Sequence, residues 1–318
     1  MKNSYSNIFS FNKKILKKTI KNLNNGNIVG LPTETVYGLG GNAYSKKSIE
    51  KIYKLKKRPR SNPLIVHYLN LKDASKDIVV NERFKKLYAR FCPGPITFVL
   101  KKRYGSKINP LSTARLKTVA IRFPKHKVIR SILKCINFPL AMPSANKSTN
   151  VSPVTAEDVY NEFKRKIKLI VDGGRCKIGI ESTVIDLSCE SKILRPGIID
   201  KISIEKVLKK KIKKNFKNRK IRSPGMMQKH YSPGIPVLIN QKKHDGKSAF
   251  IYLGNKYNNK SNFFSLSKNF NLNEAASNLY KIFRLIKKMG YKKIQIGKIP
   301  NLHSGIAIND RIKRASNS

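Results

Sequence analysis

Residues 27–67 read NIVGLPTETVYGLGGNAYSKKSIEKIYKLKKRPRSNPLIVH, and the prediction of the fold depends on this stretch. The apolar run at 27–33 predicts a strand, the periodicity of residues 45–57 predicts a helix, and LIVH at 64–67 predicts a second strand. Strands that alternate with helices are typical of α/β layer proteins rather than of helical bundles or β-sandwiches. The stretch therefore predicts an α/β fold.

The same alternation continues on both sides of this stretch. Helices are predicted at 11–23, 82–91, 126–135 and 155–166, and strands at 96–100, 118–123, 139–142, 169–172, 183–187 and 192–195. A very basic helical pattern occupies 201–222, and its interpretation as a solvated face competes with that of a nucleic-acid grip. A segment rich in Pro and Gly at 222–236 is typical of a linker. Strands at 237–240, 249–254 and 293–297, with helices at 273–289 and 305–315, predict a second and smaller α/β domain.

Length and charge limit the functional classes without naming one. A chain of 318 residues favours two globular units, and no stretch approaches the roughly 20 apolar residues that a membrane helix needs. The 68 Lys and Arg against 17 Asp and Glu give a net charge of +51. Such a surface attracts nucleic acid. However, Lys, Asn and Ile are abundant throughout the chain, and AT-rich codons encode these three residues. A biased genome composition could therefore produce the positive charge without selection for binding, and the charge alone does not identify a function.

Several familiar sites are excluded by single residues. A phosphate-binding Walker loop needs Gly where Lys46 stands, and a dinucleotide fingerprint needs Gly where Ala43 stands. No GxSxG elbow of a hydrolase is present. The four cysteines have neither zinc-finger nor disulfide-scaffold spacing; they are Cys92, Cys135, Cys176 and Cys189.

Seven blocks carry a specific resemblance. In chain order they are PTETVYGLGG (32–41), KLKKRPRSNPLIVH (54–67), AIRFP (120–124), MPSANKS (142–148), GIESTVIDL (179–187), LRPG (194–197) and PGMMQKHYSP (224–233). Together they resemble the threonylcarbamoyl-AMP synthase family in its long form, over about residues 12–318. The resemblance implies a YrdC-like twisted mixed sheet with flanking helices and a smaller Rossmann-like domain. The expected division is a catalytic domain at 1–215, a linker and lid at 216–236, and a Sua-type domain at 237–318.

The resemblance also implies a reaction. L-threonine, bicarbonate and ATP would give threonylcarbamoyl-AMP and pyrophosphate in a nucleotidyl transfer that serves t6A37 modification of tRNA. Mg²⁺ would be bound mainly through the ATP phosphates, and the product would pass to a tRNA threonylcarbamoyl transferase complex. We expect a cytoplasmic protein without a membrane partner, although the basic amino terminus leaves organellar targeting open. Two alternatives remain: an RNA-binding module without catalysis, and a silent regulator that binds nucleotide alone.

The family motifs assign roles to individual residues. Lys56 and Arg58 would be catalytic and would clamp the phosphates, because fixed cations stabilise the charge that adenylyl transfer redistributes. The implied ATP-binding set is Lys56, Arg58, Asn62, Thr118, Ser144, Asn146, Ser152, Arg195 and Tyr231. The implied threonine-binding set is Thr35, His67, Arg122 and Ser182. His230 and Tyr231 would form a lid over the site.

Each assignment has a structural alternative. By itself, the Lys/Arg run is typical of a surface turn, and His67 could equally be a histidine of the core. Arg122 could form a surface ion pair, although its guanidinium fork also matches an amino-acid carboxylate. Gly38, Gly40 and Gly41 either let the backbone approach a ligand or form a tight turn. Thr149 stands where the family commonly has Gly, which leaves the path of that loop open.

Overall fold

The computed structural model describes residues 5–212, 230–257 and 261–317. A ten-stranded mixed sheet occupies the first of these ranges, with the order β1-β8-β2-β3-β7-β4-β6-β5-β9-β10. Its strands are β1 Ile8–Ser10, β2 Val29–Leu31, β3 Gly38–Asn42, β4 Ile65–His67, β5 Ile96–Lys101, β6 Thr118–Arg122, β7 Leu140–Ala141, β8 Ile170–Asp172, β9 Thr183–Asp186 and β10 Lys192–Arg195. The helices that accompany the sheet are α1 Lys13–Asn24, α2 Lys46–Lys56, α3 Leu71–Ala74, α4 Glu82–Phe91, α5 Lys127–Lys134, α6 Ala156–Phe163 and α7 Lys201–Leu208.

A second sheet of four parallel strands forms the C-terminal unit, by which we mean the described residues from 230 onward. Its order is β11-β14-β12-β13. The elements are β11 Val237–Leu238, β12 Ala249–Tyr252, β13 Phe263–Ser265, β14 Ile294–Ile296, α8 Leu272–Lys288 and α9 Ser304–Ser316. The predicted α/β class, with a large mixed sheet and a smaller second sheet, is confirmed.

The register of β4 and β6 determines where side chains meet. The two strands are parallel and pair His67 with Arg122, so these residues lie side by side at the carboxyl ends of their strands. Alternate residues of a strand project from the same face, and Ile65 therefore shares this face with His67. β5 runs antiparallel to β6 and pairs Thr97 with Arg122. This face of the central strands carries the cavity described below.

Two predicted elements differ in the structure. The glycines at 38–41 lie in strand β3 rather than in a tight turn. A Cβ at Gly38 would lie 2.5 Å from Met142 Cγ, and one at Gly40 would lie 2.8 Å from Leu31 Cδ1. Glycine thus lets neighbouring side chains pack against the strand. The helix predicted over 201–222 ends at Leu208, where Lys209 caps it with a φ of 50°. Residues 213–222 of that prediction lie outside the described residues.

One apolar cluster joins the two units. It contains Val36, Tyr37 and Val151 from the first unit together with Leu279 and Ile308 from the helices of the C-terminal unit. The two sheets therefore share buried surface rather than lying as separate cores. Within the described residues, no helix is both long and apolar enough to cross a bilayer.

Candidate active site

Helix α2 positions the two cations that the sequence singled out. Ser45 caps its first turn by accepting a hydrogen bond from the Ser48 amide at 3.3 Å, and Lys57 ends it with a φ of 50°. A left-handed residue at this position is a common way to end a helix. Lys56 therefore lies in the last helical turn, and Arg58 begins the loop that leads to β4.

The Lys56 ammonium fastens the 142–148 loop to α2. Its Nζ donates to the carbonyl oxygen of Ser144 at 2.6 Å and to that of Asn146, and the Ser148 amide donates back to the Lys56 carbonyl oxygen at 2.8 Å. Lys56 is 1% exposed, and burial together with the Arg58 charge holds its pKa well below the usual range. Lys56 thereby fixes the backbone of Ser144, which lines the cavity described below.

Arg58 is held by the loop that follows it. Its Nε donates to the Asn62 carbonyl oxygen at 2.9 Å, and its Nη2 donates to Asn62 Oδ1 at 2.6 Å and to the Pro63 carbonyl oxygen at 2.8 Å. Burial lowers the pKa of this guanidinium to about 10, which still leaves it charged at neutral pH. Asn62 thus orients the Arg58 guanidinium through its carbonyl oxygen and its side-chain oxygen.

Arg58 and eight other predicted residues line one cavity. The predicted residues in its wall come from both assigned sets and from the lid: Thr35, Arg58, His67, Arg122, Ser144, Ser182, Arg195, His230 and Tyr231. The remaining wall is formed by Thr33, Val36, Tyr37, Gly38, Ile65, Met142, Pro143 and Glu181. Residues distant in sequence thus converge on a single space.

Arg122 is the best-defined donor at one end of the cavity. Its Nη1 donates to Thr35 Oγ1 at 2.8 Å and its Nη2 to Glu34 Oε1 at 2.7 Å, while Nε is buried without a partner among the described residues. Although burial would raise the pKa of Glu34, the charge and hydrogen bond of Arg122 lower it. The carboxylate therefore stays ionised and fixes the guanidinium plane.

Ser182 and His67 complete this end. Ser182 Oγ lies 2.7 Å from Thr97 Oγ1 and accepts from Arg195 Nη2 at 3.2 Å. Burial and the neighbouring charge of Arg122 lower the pKa of His67 to about 3, so its imidazole is neutral. His67 Nδ1 is buried without a partner in the described part of the chain. A ligand with a donor or acceptor would satisfy this nitrogen.

The electrostatics of the cavity favour an anion. Arg58, Arg122 and Arg195 all line it, and each is less than 10% exposed. Burial lowers the pKa values of Arg58 and Arg195, because desolvation penalises their charged forms. The carboxylates of Glu34 and Glu181 already compensate part of this positive charge, because Glu34 is paired with Arg122 and the charge of Glu181 acts on Arg195. A phosphate chain or the carboxylate of a ligand would compensate the remainder.

Residues 230–232, which we call the strap, close the cavity from the C-terminal side. The Ser232 amide donates to the Thr149 carbonyl oxygen at 2.8 Å, the Val151 amide donates to the Ser232 carbonyl oxygen at 3.2 Å, and the His230 amide donates to the Arg314 carbonyl oxygen at 3.4 Å. The strap is thus fixed to the 149–151 loop and to α9. Residues 216–229 of the predicted linker and lid lie outside the described residues.

The other predicted residues lie around the cavity rather than in its wall. Lys56 and Asn62 contact wall residues as described, Asn146 accepts from Lys56, and Ser152 Oγ donates to Glu181 Oε1 at 2.5 Å. Thr118 lies on the same face of β6 as Arg122 but four residues earlier, or about 13 Å along the strand. The structure does not bring Thr118 to the cavity.

Sequence reasoning missed two carboxylates. Glu34 and Glu181 stand inside the blocks PTETVYGLGG and GIESTVIDL, yet neither was assigned a role. Glu34 orients Arg122, and Glu181 lies in the cavity wall next to Ser182. The position of each glutamate directly beside an assigned residue was the signal that could have found them.

The described residues provide no cluster for a resident metal. No group of three or more His, Cys, Asp or Glu side chains in ranges 5–212, 230–257 and 261–317 could hold an ion. The one carboxylate in the cavity wall, Glu181, already accepts from Ser152, Tyr280 and Arg311. The described residues of the cavity wall therefore do not fit a protein-bound metal.

Comparisons with known proteins agree with this geometry. A family model described as telomere recombination matches residues 21–197, and the model for the threonylcarbamoyl-AMP synthase C-terminal domain matches residues 199–317. Threonylcarbamoyl-AMP synthase of Pyrococcus abyssi is 34% identical over 316 residues, which cover 92% of this chain and 91% of that protein. The enzyme of the same name from Schizosaccharomyces pombe is 32% identical over 345 residues, covering 91% of this chain and 84% of that protein.

A solved structure extends the match to three dimensions. The crystal structure of P. abyssi Sua5 complexed with L-threonine has a TM-score of 0.89 at 30% identity, and the match covers 98% of this chain and 97% of that one. The predicted resemblance and the expected fold are thereby confirmed. With both halves matched in order and a relative covered almost from end to end, the chain belongs to the threonylcarbamoyl-AMP synthase family, in the form that carries a second, C-terminal domain.

Proposed function

We propose that this protein is an L-threonylcarbamoyladenylate synthase, a nucleotidyltransferase that forms threonylcarbamoyl-AMP and pyrophosphate from L-threonine, bicarbonate and ATP. The observation that carries the proposal is the convergence of Arg58, Arg122 and Arg195 on one cavity together with Thr35 and Ser182. The family relationship and the threonine complex of the P. abyssi relative support it. The product would serve t6A37 modification through a tRNA threonylcarbamoyl transferase complex.

The proposed chemistry uses the two ends of the cavity differently. At one end the Arg122 fork would bind the threonine carboxylate, while Thr35 and His67 would contact the rest of the amino acid. The threonine amine reacts with bicarbonate to give a carbamate and water, and a carbamate oxygen then attacks the α-phosphate of ATP, displacing pyrophosphate. Arg58, Arg195 and Lys56 would stabilise the charge that moves onto the leaving group. Ser144 and Asn146 would position the nucleotide beside them.

Pyrophosphate release tests the proposal directly. With ATP and Mg²⁺, release should require both threonine and bicarbonate, and threonylcarbamoyl-AMP should accumulate in the same proportion. Lys56→Ala and Arg58→Ala should each reduce kcat/KM for ATP about tenfold to a hundredfold, since each removes a charged hydrogen bond worth about 1.5–3 kcal/mol. Lys47→Ala, an exposed lysine of α2, is the matched control. Full activity of both the Lys56 and the Arg58 variant would contradict the site assignment.

The same assay separates the alternatives. An RNA-binding module without catalysis would release no pyrophosphate and would bind tRNA with a steep salt dependence. A nucleotide-binding regulator would bind ATP without releasing pyrophosphate. Direct RNA binding is not required by the proposal, and a cytoplasmic location remains its expectation.

We also propose that the segment 216–236 acts as a lid between a catalytic domain at 1–215 and a Sua-type domain at 237–318. Support comes from His230 and Tyr231, which line the cavity while the strap is bonded to the 149–151 loop. A closed lid would exclude water from the carbamate and the adenylate. His230→Ala, which leaves the buried Tyr231 ring in place, should leave both domains folded but uncouple pyrophosphate release from product accumulation. An unchanged ratio of product to pyrophosphate would exclude the lid.

A further inference from the structure

Arg311, in the last helix of the C-terminal unit, reaches the wall of the cavity. Its side chain is fully buried. Nε donates to Glu181 Oε2 at 2.8 Å, Nη2 donates to the Pro196 carbonyl oxygen at 3.0 Å, and Nη1 donates to Asp310 Oδ2 at 2.6 Å. One guanidinium therefore contacts a wall carboxylate and the residue that follows Arg195.

Glu181 is the group that makes this contact matter. It is the carboxylate in a wall that otherwise carries three guanidiniums, and an uncompensated negative charge there would repel a triphosphate. Burial would raise its pKa, but the charges of Arg311 and Arg195 and hydrogen bonds from Ser152 and Arg311 lower it to about 2. The carboxylate is thus ionised, and Arg311 is the buried cation paired with it.

Arg311 also contacts the ring of Tyr231 in the strap. The guanidinium carbon lies 5.0 Å from the ring centroid, within the range of a cation–π contact. Tyr280 of α8 stacks on the same ring with centroids 5.8 Å apart and an interplanar angle of 24°. Tyr280 donates from its hydroxyl to Glu181 Oε2 at 3.0 Å. The two helices of the C-terminal unit therefore hold Glu181 and Tyr231 as one assembly.

We propose that Arg311 is a positioning residue for nucleotide binding, which neutralises Glu181 and fixes the Tyr231 ring beside the guanidiniums of Arg58 and Arg195 that would bind the ATP phosphates. The proposal rests on the proposed function, because it assigns the triphosphate to the cavity. The C-terminal unit would then contribute to ATP affinity through one side chain. Threonine affinity would not depend on this contact, since Arg122 is oriented by Glu34 instead.

Binding measurements with two ligands test this assignment. The probes are α,β-methylene-ATP with Mg²⁺, whose α–β linkage does not break, and L-threonine, each titrated by calorimetry into the full chain. Arg311→Met should weaken binding of the nucleotide analogue about tenfold to a hundredfold, because the buried Glu181 carboxylate loses the cation with which it forms an ion pair. Its threonine Kd should stay within about twofold. Arg175→Met is the matched control, since Arg175 Nη2 donates to the Ser277 carbonyl oxygen at 2.8 Å across the same two units but does not line the cavity.

A rescue separates the role of the charge from a loss of packing. In Arg311→Met/Glu181→Gln the repelling carboxylate is gone, so nucleotide affinity should return to within about fivefold of wild type. If Arg311→Met weakens both ligands equally, or if the double variant is as weak as the single one, the proposal is wrong. Should Arg311→Met fail to fold, the double variant, which has no unpaired charge, is compared with wild type, and a loss greater than fivefold overturns the proposal. A wild-type chain that binds neither ligand would instead contradict the proposed function.

Discussion

The backbone conformation of Thr149, in the loop that holds the strap, leads to a quantitative prediction about stability. Its φ is 75°, a left-handed conformation that a β-branched residue rarely adopts, and its carbonyl oxygen accepts the Ser232 amide at 2.8 Å. The conformation costs a non-glycine residue about 1–2 kcal/mol. Glycine avoids that cost but loses about 0.5–1 kcal/mol through the greater freedom of the unfolded chain. Thr149→Gly should therefore stabilise the protein by about 0.5–1 kcal/mol.

Thermal and denaturant unfolding would measure this difference. We expect the Tm of Thr149→Gly to rise by about 1–3 °C. Thr149→Ala is the matched control, because it removes the β-branched side chain while keeping a Cβ in the left-handed region. Alanine should recover less of the stability than glycine does. Equal stability of the alanine and glycine variants, or a glycine variant less stable than wild type, would refute the reasoning.

Three further predictions concern the amino-acid end, acid stability and the contact between the two units. Arg122→Lys should raise the threonine KM about tenfold or more, because lysine lacks the two-pronged fork, whereas Arg130→Lys on α5 should change it by less than about twofold in steady-state assays. The pKa of Glu181 is lowered from 4.5 to about 2 in the folded protein, which should contribute about 3 kcal/mol to the free energy of unfolding. This contribution is present above pH 4.5 and is lost as the pH falls towards 2. Glu181→Gln should therefore make the free energy of unfolding depend less on pH in this range. A Cβ at Gly179 would lie 2.6 Å from backbone atoms of α8, whereas one at Gly174, which has a similar φ, would have no atom within 4 Å. Gly179→Ala should therefore lower the Tm more than the control Gly174→Ala does. Equal decreases in Tm would show that the structure accommodates the crowding at Gly179 at little cost in free energy.

The fold was largely predictable because its signal is local. Alternating apolar runs and helical periodicities depend on neighbouring residues, and the α/β class followed from them. Strand β3 was missed since its glycines have a low strand propensity, and the packing of Met142 and Leu31 against Gly38 and Gly40 is a tertiary contact that the local sequence does not reveal. The end of α7 at Leu208 was also missed, because the basic periodicity continues past the residue that caps the helix.

The site was predictable where a motif carried it and unpredictable where contacts came from afar. The blocks with Arg58, Arg122 and Ser182 indicated residues that the structure brings to one cavity. The role of Glu181 was not, because Tyr280 and Arg311 follow it by 99 and 130 residues and stand in no recognised block. The bonds of the Lys56 ammonium to two carbonyls likewise depend on how the 142–148 loop passes α2, which sequence spacing does not encode.

The apolar cluster that spans both sheets has a consequence for how the chain melts. Side chains such as Tyr37 and Ile308 belong to one buried cluster, so the unfolding of either unit would expose apolar surface of the other to water. Calorimetry should then record a single heat-absorption peak for the intact chain rather than two. A truncated chain that ends near residue 212 would expose an apolar surface to solvent. It should therefore precipitate or self-associate more readily than the full-length protein.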